Sequence, residues 1–335
     1  MARRKTAKPV RKPSRLAAWW RGLDADGKAR LRTVALWTLA CVCVVAAAGA
    51  GLKLLEAGIL ARQRAQPLRE VRVRFLPRPA WLPDRLAREI AADLLPPGLD
   101  IRDAGAARLI HARAATNPWL TDLREVRKTG GEAPGEVRLD VCASFRRPIA
   151  RAGRDGRYVY VDAAGVRLPE SQVPKFVVRE PGDDGPGRLY LSEADVPDGV
   201  RARRIHYVAI EGVGSEPPSV GRPWDAADLH AGLRLVRMVL DRPYAGQITV
   251  VDVSNHGRRL GDRLPELRMF AQVGAGSAPT EIRFGRFPDG PGDYVVAPER
   301  KLSYLDEYAA RNDGLLTGVN RYLDLRYDHL HVSLN

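Results

Sequence analysis

The stretch "TVALWTLACVCVVAAAGAGL", residues 33–52, divides this chain of 335 residues into two parts of different character. Its 20 positions carry no charge, and an α-helix of that length crosses the hydrocarbon core of a bilayer. We therefore predict one transmembrane helix over 33–52. The small residues at its far end leave a cleaved signal peptide as the alternative, but a basic lead of 32 residues favours an uncleaved anchor.

The segment before this span, residues 1–32, is strongly basic. It holds 11 Lys and Arg residues against two Asp residues, which is +9 of the formal net charge of +14. The positive-inside rule predicts a cytoplasmic tail and places the remaining bulk of the chain across the membrane. A basic arm can also bind nucleic acid or anionic lipid, but the span that follows favours the topological role. We expect no nucleic-acid partner.

The first segment after the span, residues 68–145, has the pattern of a small α+β module. "LREVRVRFL" (68–76) alternates like a strand, and an amphipathic helix opens at Pro83-Asp84. A second short helix is expected over 103–114, and the strands "LREVRKT" and "EVRLDVCASF" follow. The predicted order is β-α-α-β-β, and the fold class is α+β.

Residues 146–334 read as a second, β-rich domain that leans to antiparallel pairing and carries two packed helices. We expect the first of these helices to be capped by Asp225, and the second to begin at Pro298 and end at Gly314. Residues 179–204 are rich in Gly, Pro and Asp, and we expect a long exposed loop or insertion there.

Catalytic signatures are missing from the sequence. None of the motifs GxxxxGK[ST], HExxH and GxSxG occurs, so we predict no enzymatic activity, no cofactor and no metal. His329 and His331 share one face of a possible strand, where a solvent-facing pair is commoner than a metal site. Three acidic residues near other charges, Asp252, Asp324 and Asp328, are expected on solvated faces.

The segment "YLDLRYDHLHV", residues 322–332, alternates like a strand with one dry face that ends in Tyr327. The apolar parity flips after Asp328, which predicts a bulge or a tight turn there. A strand of this kind at a sheet edge offers unpaired N–H and C=O groups to a second peptide. The pattern leaves open whether Tyr327 belongs to the core or to an interface; Tyr322 points to the opposite face.

Several stretches together resemble the bacterial cell-division protein family FtsQ, called DivIB in other bacteria. They are "NPWLTDLREVRKTGGEAPGEVRLDVCASFRRPIA" (117–150), "YVYVDAAGVRLP" (158–169), "EIRFGR" (281–286), "KLSYLDEY" and "YLDLRYD" (322–328). Their order and spacing follow the order and spacing in that family, and the resemblance covers roughly residues 30–330.

The resemblance implies a non-enzymatic divisome scaffold with a POTRA-type module at 68–145 and an FtsQ-type β domain at 146–334. The terminal strand would pair with a β segment of FtsB, and the small single-span proteins FtsB and FtsL would be its partners. Arg326 and Tyr327 match contact residues of the family, and Arg268 matches a further basic contact. The predicted partner-binding residues are Tyr322, Asp324, Arg326, Tyr327, Asp328 and Arg268.

The same resemblance implies a location and further partners. The protein would be a single-pass protein of the inner membrane, with a cytoplasmic N-terminus and a periplasmic ectodomain at the division septum. Its POTRA-type module would contact other divisome components, so that the chain links cytoplasmic and extracytoplasmic division proteins. The alternative is a POTRA-type adaptor that binds extended polypeptide in secretion or outer-membrane assembly.

Overall fold

Within the described residues, the chain folds into one long α-helix, four shorter α-helices and three β-sheets. The computed structural model describes residues 24–65, 70–101, 103, 105–130, 136–179, 187–274, 277–290, 293–316 and 322–333. The helices are α1 (Ala25–Ala65), α2 (Asp84–Leu94), α3 (Ala106–Thr116), α4 (Ala227–Leu240) and α5 (Pro298–Arg311). The strands are β1 (Glu70–Leu76), β2 (Leu120–Gly130), β3 (Glu136–Phe145), β4 (Pro148–Arg154), β5 (Arg157–Asp162), β6 (Phe176–Val178), β7 (Arg188–Tyr190), β8 (Arg203–Arg204), β9 (Val208–Glu211), β10 (Ile248–Asp252), β11 (Leu267–Ala271), β12 (Thr280–Gly285), β13 (Tyr322–Asp324) and β14 (His331–Ser333).

The helix α1 contains the predicted span and extends beyond both of its ends. Its stretch Asp26–Ile59 is long and apolar enough to cross a membrane, and a signal sequence meets the same criteria. Its apolar side chains are exposed along the whole stretch, as Trp37 and Leu54 illustrate. The helix α1 falls in one compact unit, and β1–β14 with the other helices fall in another. The chain is therefore an α+β protein with one candidate spanning helix followed by a β-rich part.

The first sheet has the strand order β1-β3-β2. Strand β1 runs parallel to β3, and β2 runs antiparallel to it. The apolar side of α2, with Leu86 and Ile90, is buried, as is Ile110 of α3. This confirms the predicted β-α-α-β-β order, although α3 begins three residues later than expected. Trp119, fully buried just before β2, donates its indole N–H to Gln172 Oε1 at 2.7 Å.

The main sheet has eight strands in the order β14-β13-β12-β11-β10-β9-β4-β5. Pairing is parallel at β4–β9, β9–β10 and β12–β13, and antiparallel at the other four junctions. The core of this sheet consists of buried apolar side chains from alternate strand positions and from α4 and α5. It includes Ile210, Val251, Met269, Ile282, Leu323, Leu229, Leu233, Leu302 and Leu305.

The helix boundaries in this part differ from the prediction at one end. Asp225 does not cap α4, because its side chain is fully exposed and the helix begins after Ala226 without a side-chain cap. Pro298 does open α5, where a missing N–H costs nothing. Gly314 follows that helix with φ of +80°, a conformation that suits glycine.

The segment 179–204 is not the exposed loop that we expected. Its described residues 187–204 contain β7 and β8, which join β6 in a three-stranded antiparallel sheet. Leu189 and Leu191 are buried, and this burial is what orders a segment rich in turn residues. Asp195 also accepts two 3.1 Å hydrogen bonds from Arg85 of α2, which ties the small sheet to the first module.

The second face of the eight-stranded sheet, which we call the outer face, is lined by polar and aromatic residues. They alternate along each strand with the buried core residues, as the half-buried Arg268 and Phe270 do with Met269 on β11. Cross-strand register places Asp252, Arg268, Arg283, Asp324 and His331 in one row across this face. Two residues of this row, Arg268 and Asp324, belong to the predicted site.

Candidate partner-binding site

The predicted site lies in a hairpin at one end of the main sheet. Strand β13 pairs with β12 on one side and with β14 on the other, so it is an interior strand. The predicted terminal strand is therefore two strands, and the first of them, Tyr322–Asp324, does not lie at the sheet edge. Residues 326–329 form the turn that the parity flip predicted, and this turn moves the edge to β14. Among the described strands, only β13 pairs with β14.

Asp324 and Arg326 form a close ion pair beside this turn. Asp324 is only 2% exposed, which corrects the prediction that its face is solvated. The Arg326 side chain folds back so that Nε donates to Asp324 Oδ1 at 2.9 Å and Nη2 donates to Oδ2 at 2.7 Å. The Arg326 backbone N–H also donates to Oδ1 at 3.1 Å. Two hydrogen bonds from one guanidinium explain why a carboxylate tolerates burial here.

A glycine makes room for this arrangement. Gly285 ends β12 with φ of +83°, and a Cβ built on it would lie 2.9 Å from Arg326 Cγ. A side chain at 285 would therefore meet both backbone strain and a steric conflict. The pattern of residues 322–328 gave no indication of this contact, because it joins positions 41 residues apart in the chain.

Arg268 and Tyr322 lie on the outer face but do not touch each other. Arg268 forms an ion pair with Asp252, and Arg268 Nη1 lies 3.6 Å from Glu281 Oε1. Asp252 is buried, which corrects the prediction that it lies on a solvated face. Tyr322 is covered by the guanidinium of Arg283, whose carbon lies 3.5 Å from the ring centroid. Arg283 was missed as a site residue, because an arginine at an alternating position reads as ordinary surface.

Tyr327 occupies the tip of the hairpin and is 51% exposed. Tyr327 is therefore not a core residue, although the sequence pattern alone left open whether it belonged to the core or to an interface. Its ring centroid lies 6.5 Å from that of His329 in a stacked arrangement. Asp328 is exposed and pairs with His329, which lowers the pKa of the Asp328 carboxyl. The Asp328 carbonyl accepts a hydrogen bond from the Tyr304 hydroxyl, which fixes the tip to α5.

The buried Lys301 of α5 contacts the end of β12, next to the site. Lys301 of α5 is 1% exposed and donates to the carbonyl oxygens of Phe284 at 2.8 Å and Arg286 at 2.9 Å. Burial, followed by the nearby Arg286 charge, lowers the pKa of Lys301 to about 8. The ammonium group satisfies carbonyls at the end of β12 and thereby holds α5 against the strand that carries Gly285.

Metal binding by the two histidines has no support from geometry. His331 faces the Tyr322 ring at 6.4 Å between centroids, whereas His329 pairs with Asp328. Within the part of the chain that the structure describes, no group of three or more His, Cys, Asp or Glu residues could hold a metal ion.

The arrangement offers a strand edge that no other described strand pairs with, a protruding aromatic ring and an ordered support, which together suit the docking of an extended peptide. It brings Asp324, Arg326 and Tyr327 together at the turn, and leaves Arg268 two strands away on the same face. No family model matches this chain, and no curated protein matches its sequence.

Proposed function

We propose that this protein is a non-enzymatic, membrane-anchored scaffold of the bacterial divisome, of the FtsQ type. The observation that carries the proposal is the edge of β14, which has no further strand beside it among the described residues, next to the exposed Tyr327. The order of sequence elements that resembles the FtsQ family gives it a second, independent support. The helix α1 would be the anchor, with residues 1–32 in the cytoplasm and the ectodomain in the periplasm at the septum.

We infer that β14 recruits FtsB- and FtsL-type proteins by strand addition. An added strand would hydrogen-bond to the main-chain groups of residues 331–333, which have no strand on their far side in the described structure. Tyr327 would supply a rigid amphipathic contact next to that strand. Asp324 and Arg326 would act mainly by holding the turn, because each already has the other as a partner.

We further infer that residues 70–145 form a POTRA-type module. Its β-α-α-β-β order and its sheet order β1-β3-β2 support this inference. In the proposed scaffold this module would contact other divisome components, and the Arg85–Asp195 and Trp119–Gln172 contacts would keep it attached to the β-rich part.

The test is photo-crosslinking in cells from benzoylphenylalanine placed at position 327, with position 294 as the matched control. Both positions carry exposed tyrosines, and Tyr294 lies in a separate loop. We expect adducts with a small single-span coiled-coil division protein from position 327 and none of these from position 294.

Two results would count against the proposal. One is a folded, membrane-inserted protein that gives no adduct at position 327. The other is an adduct with an outer-membrane assembly or secretion component, which would favour the adaptor function instead.

A further inference from the structure

A basic groove lies on the outer face near the end of the main sheet that is opposite to β14. It has a volume of about 380 Å³, and none of the described residues that line it carries a carboxylate. The lining residues are Arg151, Tyr160, Arg204, Ile205, His206 and Tyr207. Strand β5, which carries Tyr160, is the last strand at this end of the sheet.

Arg151 of β4 is the unusual member of this groove. Its Nε is buried and has no hydrogen-bond partner among the described residues. Its guanidinium carbon lies 5.0 Å from the centroid of the Tyr158 ring. The hydroxyl of Tyr158 donates to Glu211, so that carboxylate is already engaged. Nε itself is shielded, but the Arg151 side chain as a whole is half-buried and lines the groove, so an acceptor bound in the groove would meet the guanidinium charge.

Other arginines of the outer face provide the contrast. Arg268 and Arg283 both have carboxylates within the sheet, at Asp252 and Glu281. Arg151 lies in the next row, where cross-strand register gives it Tyr160 and Ala209 as neighbours and no acidic residue. Its charge is therefore available to a ligand, whereas Arg268 pairs with Asp252 on the neighbouring strand β10 and Arg283 pairs with Glu281 on its own strand β12.

The walls of the groove are ordered aromatic rings. Tyr160 and Tyr207 meet edge to face, with 5.2 Å between centroids, and the Tyr207 hydroxyl donates to the Pro174 carbonyl at 2.9 Å. Burial, together with the Arg151 charge, lowers the pKa of His206. Arg151 and the exposed Arg204 are the permanent cations of the groove.

We propose that this groove binds an acidic side chain from an extended segment of a partner polypeptide, with Arg151 as the carboxylate-binding residue. The planar guanidinium matches a carboxylate in a two-bond geometry. An acidic polypeptide is favoured over a phosphorylated ligand because the charged groove has aromatic walls, which suit the aliphatic stems of peptide side chains. The site is separate from β14 and does not rest on the divisome proposal.

The test measures binding of dye-labelled hexaglutamate to the full chain in detergent micelles by fluorescence anisotropy. We expect Arg151→Gln to weaken binding about tenfold, as the loss of a charge-assisted contact predicts. Arg157→Gln is the matched control, because Arg157 is exposed on the adjacent strand β5 and its loss changes the net charge equally. We expect this control to bind like the unaltered protein.

A second variant keeps the test decisive if Arg151→Gln unfolds. Arg204→Gln alters an exposed residue and should still weaken hexaglutamate binding more than Arg157→Gln does. Equal weakening by all variants would show nonspecific attraction and overturn the proposal. Absence of hexaglutamate binding would also overturn it, as would binding of inorganic phosphate at this groove in preference to hexaglutamate.

Discussion

At the scale of single residues, the exposure of Tyr327 separates a binding role from a packing role. Because its side chain is half exposed, Tyr327→Ala should change the free energy of unfolding by less than about 0.5 kcal/mol. Leu323→Ala, at a fully buried position of β13, should cost about 2–5 kcal/mol. Urea denaturation of the purified chain measures both, with Tyr294→Ala as the control. A large loss of stability in Tyr327→Ala would mean that Tyr327 packs in the core, and it would contradict a role for Tyr327 in the proposed interface.

Gly285 gives a second prediction at this scale. Gly285→Ala should destabilise the protein by about 1–3 kcal/mol, because alanine is strained at positive φ and its methyl group displaces the Arg326 side chain. Gly156→Ala is the control, since its φ of +77° imposes the same strain but its added Cβ meets no atom within 4 Å. A thermal unfolding series should show the larger loss at 285. Equal losses would mean that the Arg326 contact contributes nothing.

The buried Lys301 predicts a dependence of stability on pH. Its pKa is about 8 in the folded chain, against an ordinary value of 10.5. Between these two values the unfolded chain binds more protons, so the free energy of unfolding rises with pH. The free energy of unfolding of the unaltered protein should rise by about 2–3 kcal/mol more than that of Lys301→Met between about pH 8 and 10.5. Parallel pH curves for the two proteins would contradict the lowered pKa.

At the scale of elements, sequence patterns predicted the longer strands and helices and missed the short strands of the three-stranded β7-β6-β8 sheet. Strand β3 was predicted with its observed bounds, because ten alternating residues give a clear period. Strands β7 and β8 have three and two residues, and they form through contacts with β6 that no local pattern encodes. The same reason explains the error at Asp324, whose burial depends on where Arg326 folds back.

The position of β14 at the sheet end predicts its local stability. Amide hydrogens of β14 should exchange at least about tenfold faster than those of β11, which is paired on both sides. Binding of an added strand should then slow exchange in β14 and leave β11 unchanged. Hydrogen exchange followed by mass spectrometry measures both effects. Equal protection of the two strands in the free protein would mean that β14 is not an open edge.

At the scale of the whole molecule, the fate of α1 decides the topology. If α1 is an uncleaved anchor, tags at the two ends of the chain should be found on one band, and that band should stay with the membrane after carbonate extraction. The tag before residue 24 should be protected from external protease, since the basic tail would lie in the cytoplasm. A mature band that lacks the N-terminal tag would instead identify a cleaved signal sequence.

The charged row across the outer face also limits which single substitutions the protein can accept. Asp252 pairs with Arg268, and Asp324 pairs with Arg326, so a change of the arginine alone leaves a buried carboxylate without its cation, and a change of the aspartate alone leaves the arginine without its carboxylate. Evolution should therefore alter these positions in pairs, and natural variants should show correlated substitutions at 252 with 268 and at 324 with 326. Arg151, which has no such partner in the described chain, should instead vary together with residues of another protein.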